Sequence, residues 1–145
     1  MNEIDSVLLI GFGAPKDTRH VMDFLRLVVR GRNVPDERLA EVAHHYEMIG
    51  GSPYNELTFK QGVALKRRLR EAYGLRLPVY AGMRNWHPFM PRVIGCMNRA
   101  GRRRAVGIIL AAHRSNTSLE RYRLDVSRAI EENHGVGPEV VYLAP

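Results

Sequence analysis

The sequence predicts a single α/β domain built on a four-stranded parallel sheet with helices on both faces. Two observations carry this expectation. Short apolar runs that read as strands alternate with longer stretches of helical periodicity, and the strand-like runs are apolar nearly throughout, as strands covered on both sides are. The length of 145 residues suits one domain with one core, so residues 1–145 are read as one unit.

Val7-Leu8-Leu9-Ile10 is the first strand, and Gly11-Phe12-Gly13 turns the chain after it. Val21, Phe24, Leu25 and Val28 recur at helical spacing, with Gly31 as a stop. A second helix follows Pro35, with Leu39, Val42, Ala43 and Tyr46 on one side, and Gly50-Gly51-Ser52-Pro53 breaks it. A third runs from about Asn55 to Tyr73, with Leu57, Ala64, Leu65, Leu69 and Ala72 expected to face inward, and Gly74 closes it. Leu77 to Gly82 reads as the second strand. Phe89, Val93, Met97 and Ala100 mark a further helix, Ala105 to Ala112 a third strand, Leu119 to Ile130 the last helix and Val140 to Leu143 a fourth strand. The crossovers between parallel strands should be right-handed. An ending on a strand reads as a chain divided between two units.

A hydrophobic share of 45% is ordinary for a globular protein. No apolar run approaches the ~20 residues of a membrane span, and acidic Met1–Asp5 leads straight into a strand, so neither a transmembrane segment nor a signal peptide is read. The single cysteine, Cys96, sits among Val93, Ile94 and Met97, which reads as a buried thiol in a reducing, cytoplasmic setting. Lys and Arg outnumber Asp and Glu by 22 to 15, a net +7 that suits an anionic partner or simply a basic surface. Nucleic acid is not the expected partner, because no basic strand face carries interleaved aromatics.

In open parallel sheets, ligands bind beyond the carboxyl ends of the strands. Three segments fall there: Gly11-Phe12-Gly13-Ala14-Pro15, Met83-Arg84-Asn85-Trp86-His87 and His113-Arg114-Ser115-Asn116. Aromatic rings and arginines together suit a flat, apolar ligand that carries carboxylates. Each residue has a structural alternative. Trp86 can cap the core. His113 can be a hydrogen-bonded histidine at a strand end. Thr117-Ser118-Leu119-Glu120 has capping-box spacing, which gives Glu120 a place in a helix cap. Gly11-Phe12-Gly13 lacks the third glycine and the lysine of phosphate-binding loops, and no metal-ligand motif is present.

In order along the chain, these motifs resemble the ferrochelatase family, the enzymes that insert ferrous iron into a porphyrin in haem biosynthesis. Leu8-Leu9-Ile10-Gly11-Phe12-Gly13-Ala14-Pro15 is similar to the family's strand and aromatic-Gly-x-Pro turn, and Arg30-Gly31-Arg32 to its Arg-Gly-Arg. Tyr46-Glu47-Met48-Ile49-Gly50-Gly51-Ser52-Pro53 resembles its Tyr-x-x-Ile-Gly-Gly-x-Ser-Pro, one residue shorter. Gly82-Met83-Arg84-Asn85-Trp86-His87-Pro88 and Ile109-Leu110-Ala111-Ala112-His113-Arg114-Ser115 resemble the two later segments.

The resemblance is to the N-terminal half of an enzyme with two similar halves. It implies a chelatase-like, three-layer fold related to Rossmann and flavodoxin-like domains. It further implies porphyrin and ferrous iron as substrates, with no resident cofactor or metal. Phe12, Arg30, Arg84, Asn85 and Ser115 would face the porphyrin, and Trp86 and Arg114 join them as candidates from their place in the post-strand segments. Comparison of the family's halves sets Phe12 where the second half carries its iron-handling histidine, and Glu120 near that half's acidic residue. Glu120 is therefore a catalytic candidate, and His113, at the end of the third strand, is offered beside it as a substitute base. A homo-oligomer or a missing C-terminal half would complete the site. The alternative is a non-catalytic tetrapyrrole-binding module of the same fold.

Overall fold

The computed structural model describes residues 3–111 and 115–143. Its elements run β1 (Ser6–Gly11), α1 (Val21–Val28), α2 (Asp36–Met48), α3 (Tyr54–Tyr73), β2 (Val79–Met83), α4 (Met90–Arg99), β3 (Arg104–Ile109), α5 (Asn116–Glu132) and β4 (Glu139–Tyr142). A short 3-10 turn, Thr18–His20, leads into α1. The four strands are parallel in the order β2-β1-β3-β4. This is the predicted sheet, with helices on both faces.

β1 is the only strand buried at every position. It lies between β2 and β3 with a helical layer on each face, so both sets of alternating side chains are covered. Leu8 and Ile10 join Ile94, Met97, Tyr122, Val126 and Ala129 in the core beneath α4 and α5. The other set, with Leu9, meets α3 at Gly62, where an added Cβ would sit 3.5 Å from Leu9 Cδ1 and Val79 Cγ1. A second cluster, around Phe24, Val21, Leu25, Leu39 and Ala43, joins α1 to α2.

The inward stripe of α3 differs from the predicted one. Thr58 and Gly62 are its buried residues, whereas Leu57 is 52% exposed and Ala64 and Ala72 are also exposed. The helix approaches the sheet through a small residue, and that turns Leu57 outward while Leu65 and Leu69 stay half-buried. The cap of α5 also differs. Ser115 Oγ accepts a hydrogen bond from Ser118 N at 3.1 Å, so the N-cap is Ser115 and the box beginning at Thr117 does not form. α3 ends as expected at Gly74, whose φ of +67° lets Gly74 N and Leu75 N bond back to Arg70 O and Leu69 O.

Candidate functional site

The turn after β1 is fixed by its neighbours. Arg84 N donates to Gly11 O at 3.0 Å and Asn85 N to Phe12 O at 2.9 Å, which continues the pairing of β1 with β2 past the strand ends. Gly13 has a φ of +80°, and a Cβ there would lie 2.7 Å from that of Met83, so only glycine fits the turn.

The first residues of α3 tie the post-strand segments together. The Tyr54 hydroxyl accepts from Phe12 N at 3.0 Å and donates to Leu110 O at 3.3 Å. Asn55 Oδ1 accepts from Ala14 N at 3.1 Å, and its Nδ2 donates to His87 O at 2.7 Å. Two adjacent side chains thus clamp the exits of β1, β2 and β3. The Gly-Gly-Ser-Pro segment delivers them there. Gly51 packs on the Lys16 carbonyl, Ser52 N donates to Pro15 O at 2.9 Å, and Ser52 Oγ accepts from Tyr54 N at 3.2 Å.

Above this clamp lies a cleft of about 340 Å³. Phe12, Arg84, Asn85 and Ser115 line it together with Val28, Arg32, Arg121 and Tyr122. Four of the predicted residues, drawn from the exits of three strands, therefore share one cavity. Phe12 is 36% exposed, its ring held edge-on against Phe24 with centroids 6.2 Å apart. Asn85 is buried in the wall.

Arg84 reaches across to α5. Its Nη1 lies 2.9 Å from Asp125 Oδ2, and its guanidinium carbon 5.9 Å from the centre of the Tyr122 ring. Burial pushes the Asp125 carboxyl above the usual carboxylate range, against the opposing pull of Arg84, Arg30 and Arg128. Burial likewise pushes the Tyr122 phenol up to about 12, helped by Tyr54 and Asp125 and opposed by Arg84. Tyr122 thus stays neutral and offers the cleft an aromatic body with a hydroxyl. Arg30 lines a neighbouring cavity of about 480 Å³ that also contains Arg84, Asp125 and Arg128.

Other predicted residues fall elsewhere. Trp86, half-buried, packs on Phe24 and His20, with centroid separations of 6.2 and 5.8 Å, and lines neither of these two cavities. Glu120 is exposed on α5 and lines neither cavity. His113 and Arg114 lie outside the described residues. Sequence reasoning did not single out Tyr54, Asn55, Tyr122 or Asp125 as site residues. Asp125 did carry a signal: a carboxylate three residues from Tyr122 and beside Val126, on the helix's apolar stripe. Among the described residues no group of three or more His, Cys, Asp or Glu side chains is placed to hold a metal ion, and no helix is long and apolar enough to cross a membrane.

A parallel α/β domain with an aromatic and arginine-lined cleft beyond its strand ends belongs to the class that binds small ligands at that edge of the sheet. The ferrochelatase family profile matches residues 5–144, and the chain belongs to that family. It is 45% identical over 123 residues to the ferrochelatase of Acidobacterium capsulatum, an alignment covering 85% of this chain and 36% of that protein. It is 39% identical over 140 residues to the coproporphyrin III ferrochelatase of Streptomyces griseus, covering 94% and 36%. With that of Mycolicibacterium vanbaalenii it shares 36% over 141 residues, covering 97% and 41%. The chain therefore spans roughly two fifths or less of the length of these relatives.

Proposed function

We propose that the chain forms one wall of a porphyrin cleft in a ferrochelatase-type enzyme, with the opposing wall supplied by a second half or a partner chain. The observation that carries this reading is the convergence of Phe12, Arg84, Asn85 and Ser115 on one cavity in a chain whose family match runs almost end to end. Phe12 gives the cleft an aromatic surface for a macrocycle. Its arginines meet carboxylates, and the Ser115 hydroxyl adds a hydrogen bond.

Ferrous iron is the second substrate in this reading. Its insertion requires two protons to leave the pyrrole nitrogens, so a base must stand near them. Glu120 is exposed on α5 and lines neither cavity, and in this reading the opposing wall supplies the proton acceptor. The same observation favours, as a second reading, a binding module without catalysis.

Coproporphyrin titration of the purified chain tests the cleft. Phe12→Ala should weaken binding through lost packing, by about tenfold and with little dependence on salt. Arg84→Ala should weaken it in a salt-dependent manner. Wild-type affinity in both variants would place the porphyrin elsewhere. Iron insertion assayed on the same preparation separates the two readings: turnover by the chain alone would show a base within it, and turnover only with a partner would show that the opposing wall supplies one.

A further inference from the structure

The cleft has more than one kind of arginine. Arg84 is committed: it is held by Asp125 at 2.9 Å, and both side chains are largely withdrawn from solvent, at 26% and 17% exposure. Arg32 and Arg121 line the same cavity, are exposed, and have no ion-pair partner among the described residues. Arg84 and Asp125 sit where two cavities meet, since Arg84 lines both and Asp125 only the second. Asp125 Oδ2 is buried and makes no hydrogen bond among the described residues, so what compensates it is the charge of Arg84 rather than a donor aimed along its lone pair.

We infer that Asp125 is a positioning residue that sets the charge of the cleft. It fixes the Arg84 guanidinium against Tyr122 and takes up its charge, which leaves recognition of ligand carboxylates to Arg32 and Arg121. This rests on the reading of the cleft as a porphyrin site and adds which residues select among porphyrins. A ligand carboxylate entering beside Arg84 meets a neutral pair. One reaching Arg32 or Arg121 meets an uncompensated cation. The effect of Arg84→Ala then has a specific origin: removing the guanidinium exposes the Asp125 carboxylate, which repels an anionic ligand.

The test is a charge cycle of wild type, Arg84→Met, Asp125→Asn and the double variant. Each is titrated at low and high salt with coproporphyrin, a tetracarboxylate, and with protoporphyrin, a dicarboxylate. Asp125→Asn frees the guanidinium, so it should bind coproporphyrin about three- to tenfold more tightly than wild type at low salt, with a smaller gain for protoporphyrin and a steeper salt dependence. Arg84→Met should bind more weakly, and the double variant should return to within about twofold of wild type. A residue that only supported the fold would give the opposite sign, with Asp125→Asn and the double variant both weaker. If Asp125→Asn unfolds, as read by circular dichroism, the double variant decides: affinity as low as that of Arg84→Met overturns the inference. Wild-type binding with Asp125→Asn equal or weaker also overturns it and leaves the porphyrin reading standing. A wild-type chain that binds neither porphyrin sinks the porphyrin reading itself, and the inference with it.

Discussion

Asp5 shows how one side chain can register the sheet at the end remote from the cleft. Its Oδ2 accepts from Arg103 N at 2.7 Å and Arg104 N at 3.3 Å, while Ser6 Oγ donates to its Oδ1 at 2.8 Å, which joins the start of β1 to the start of β3. Burial raises its pKa, but these hydrogen bonds outweigh burial and the net displacement is below 3.8. A depressed carboxylate contributes stability that is present above the unfolded pKa and lost as pH falls through the folded one. Asp5→Ala should therefore cost about 1–2 kcal/mol at neutral pH from the lost hydrogen bonds. Urea unfolding from pH 7 downward should show the gap from wild type constant to about pH 5 and narrowing below 3.8. A gap that widens in acid would mean that Asp5 is not the stabilising group. Tyr54 makes the matching argument at the cleft. Tyr54→Phe removes the hydroxyl that bridges Phe12 N and Leu110 O, at about 1–3 kcal/mol for the backbone groups that lose this partner. Thermal unfolding and coproporphyrin affinity should both fall; a stability loss with unchanged affinity would show that the clamp does not position Phe12.

At the scale of elements, the segment between α2 and α3 decides whether the cleft forms. Gly51 has a φ of +99°, and a Cβ there would stand 1.8 Å from the Lys16 carbonyl oxygen. Gly51→Ala therefore faces both a left-handed backbone penalty and a backbone clash that no side-chain rotation relieves. The variant should lose about 2–4 kcal/mol in urea unfolding, with the turn at Lys16 pushed off the start of α3. Near wild-type stability would mean that the loop has room to shift as a body. The sequence made this segment visible as a motif but not its purpose, because the purpose lies in a long-range contact with Pro15 and Lys16. The same division runs through the rest of the chain. The places of the strands along the chain and the β1 exit were legible because apolar runs and glycines report local backbone needs. The orientation of α3 was not, since leucines at helical spacing look inward-facing until Gly62 shows which side approaches the sheet. Trp86 reads from sequence as either a core or a ligand residue, and its packing on Phe24 and His20 is a contact that no local pattern announces. Arg84 was readable as a cleft residue, but its neutralisation by Asp125, 41 residues later, was not, because no local pattern links the end of β2 to the middle of α5.

At the scale of the whole molecule, the described residues leave apolar surface uncovered beside the cleft. Phe12 is 36% exposed at the cleft mouth. On the sheet face away from α5, Val141 and Leu143 are 37% and 56% exposed, on the side of the sheet where α3 packs against β1 and β2. Curated relatives are more than twice as long as the matched region, so in them further chain is available to cover such surfaces. A net charge of +7 opposes self-association of the free chain, whereas a tetracarboxylate ligand offsets part of that charge and offers two flat faces. Two copies facing one macrocycle would each contribute Phe12. Sedimentation equilibrium without porphyrin should give the mass of one chain at low concentration, and saturating coproporphyrin should shift it towards twice that mass. Phe12→Ala should abolish the shift, and high salt should favour the dimer even without ligand by screening the repulsion. If the chain binds coproporphyrin and remains a single chain throughout, the second wall is not another copy, and the covalent arrangement of the longer relatives becomes the form in which this cleft is completed.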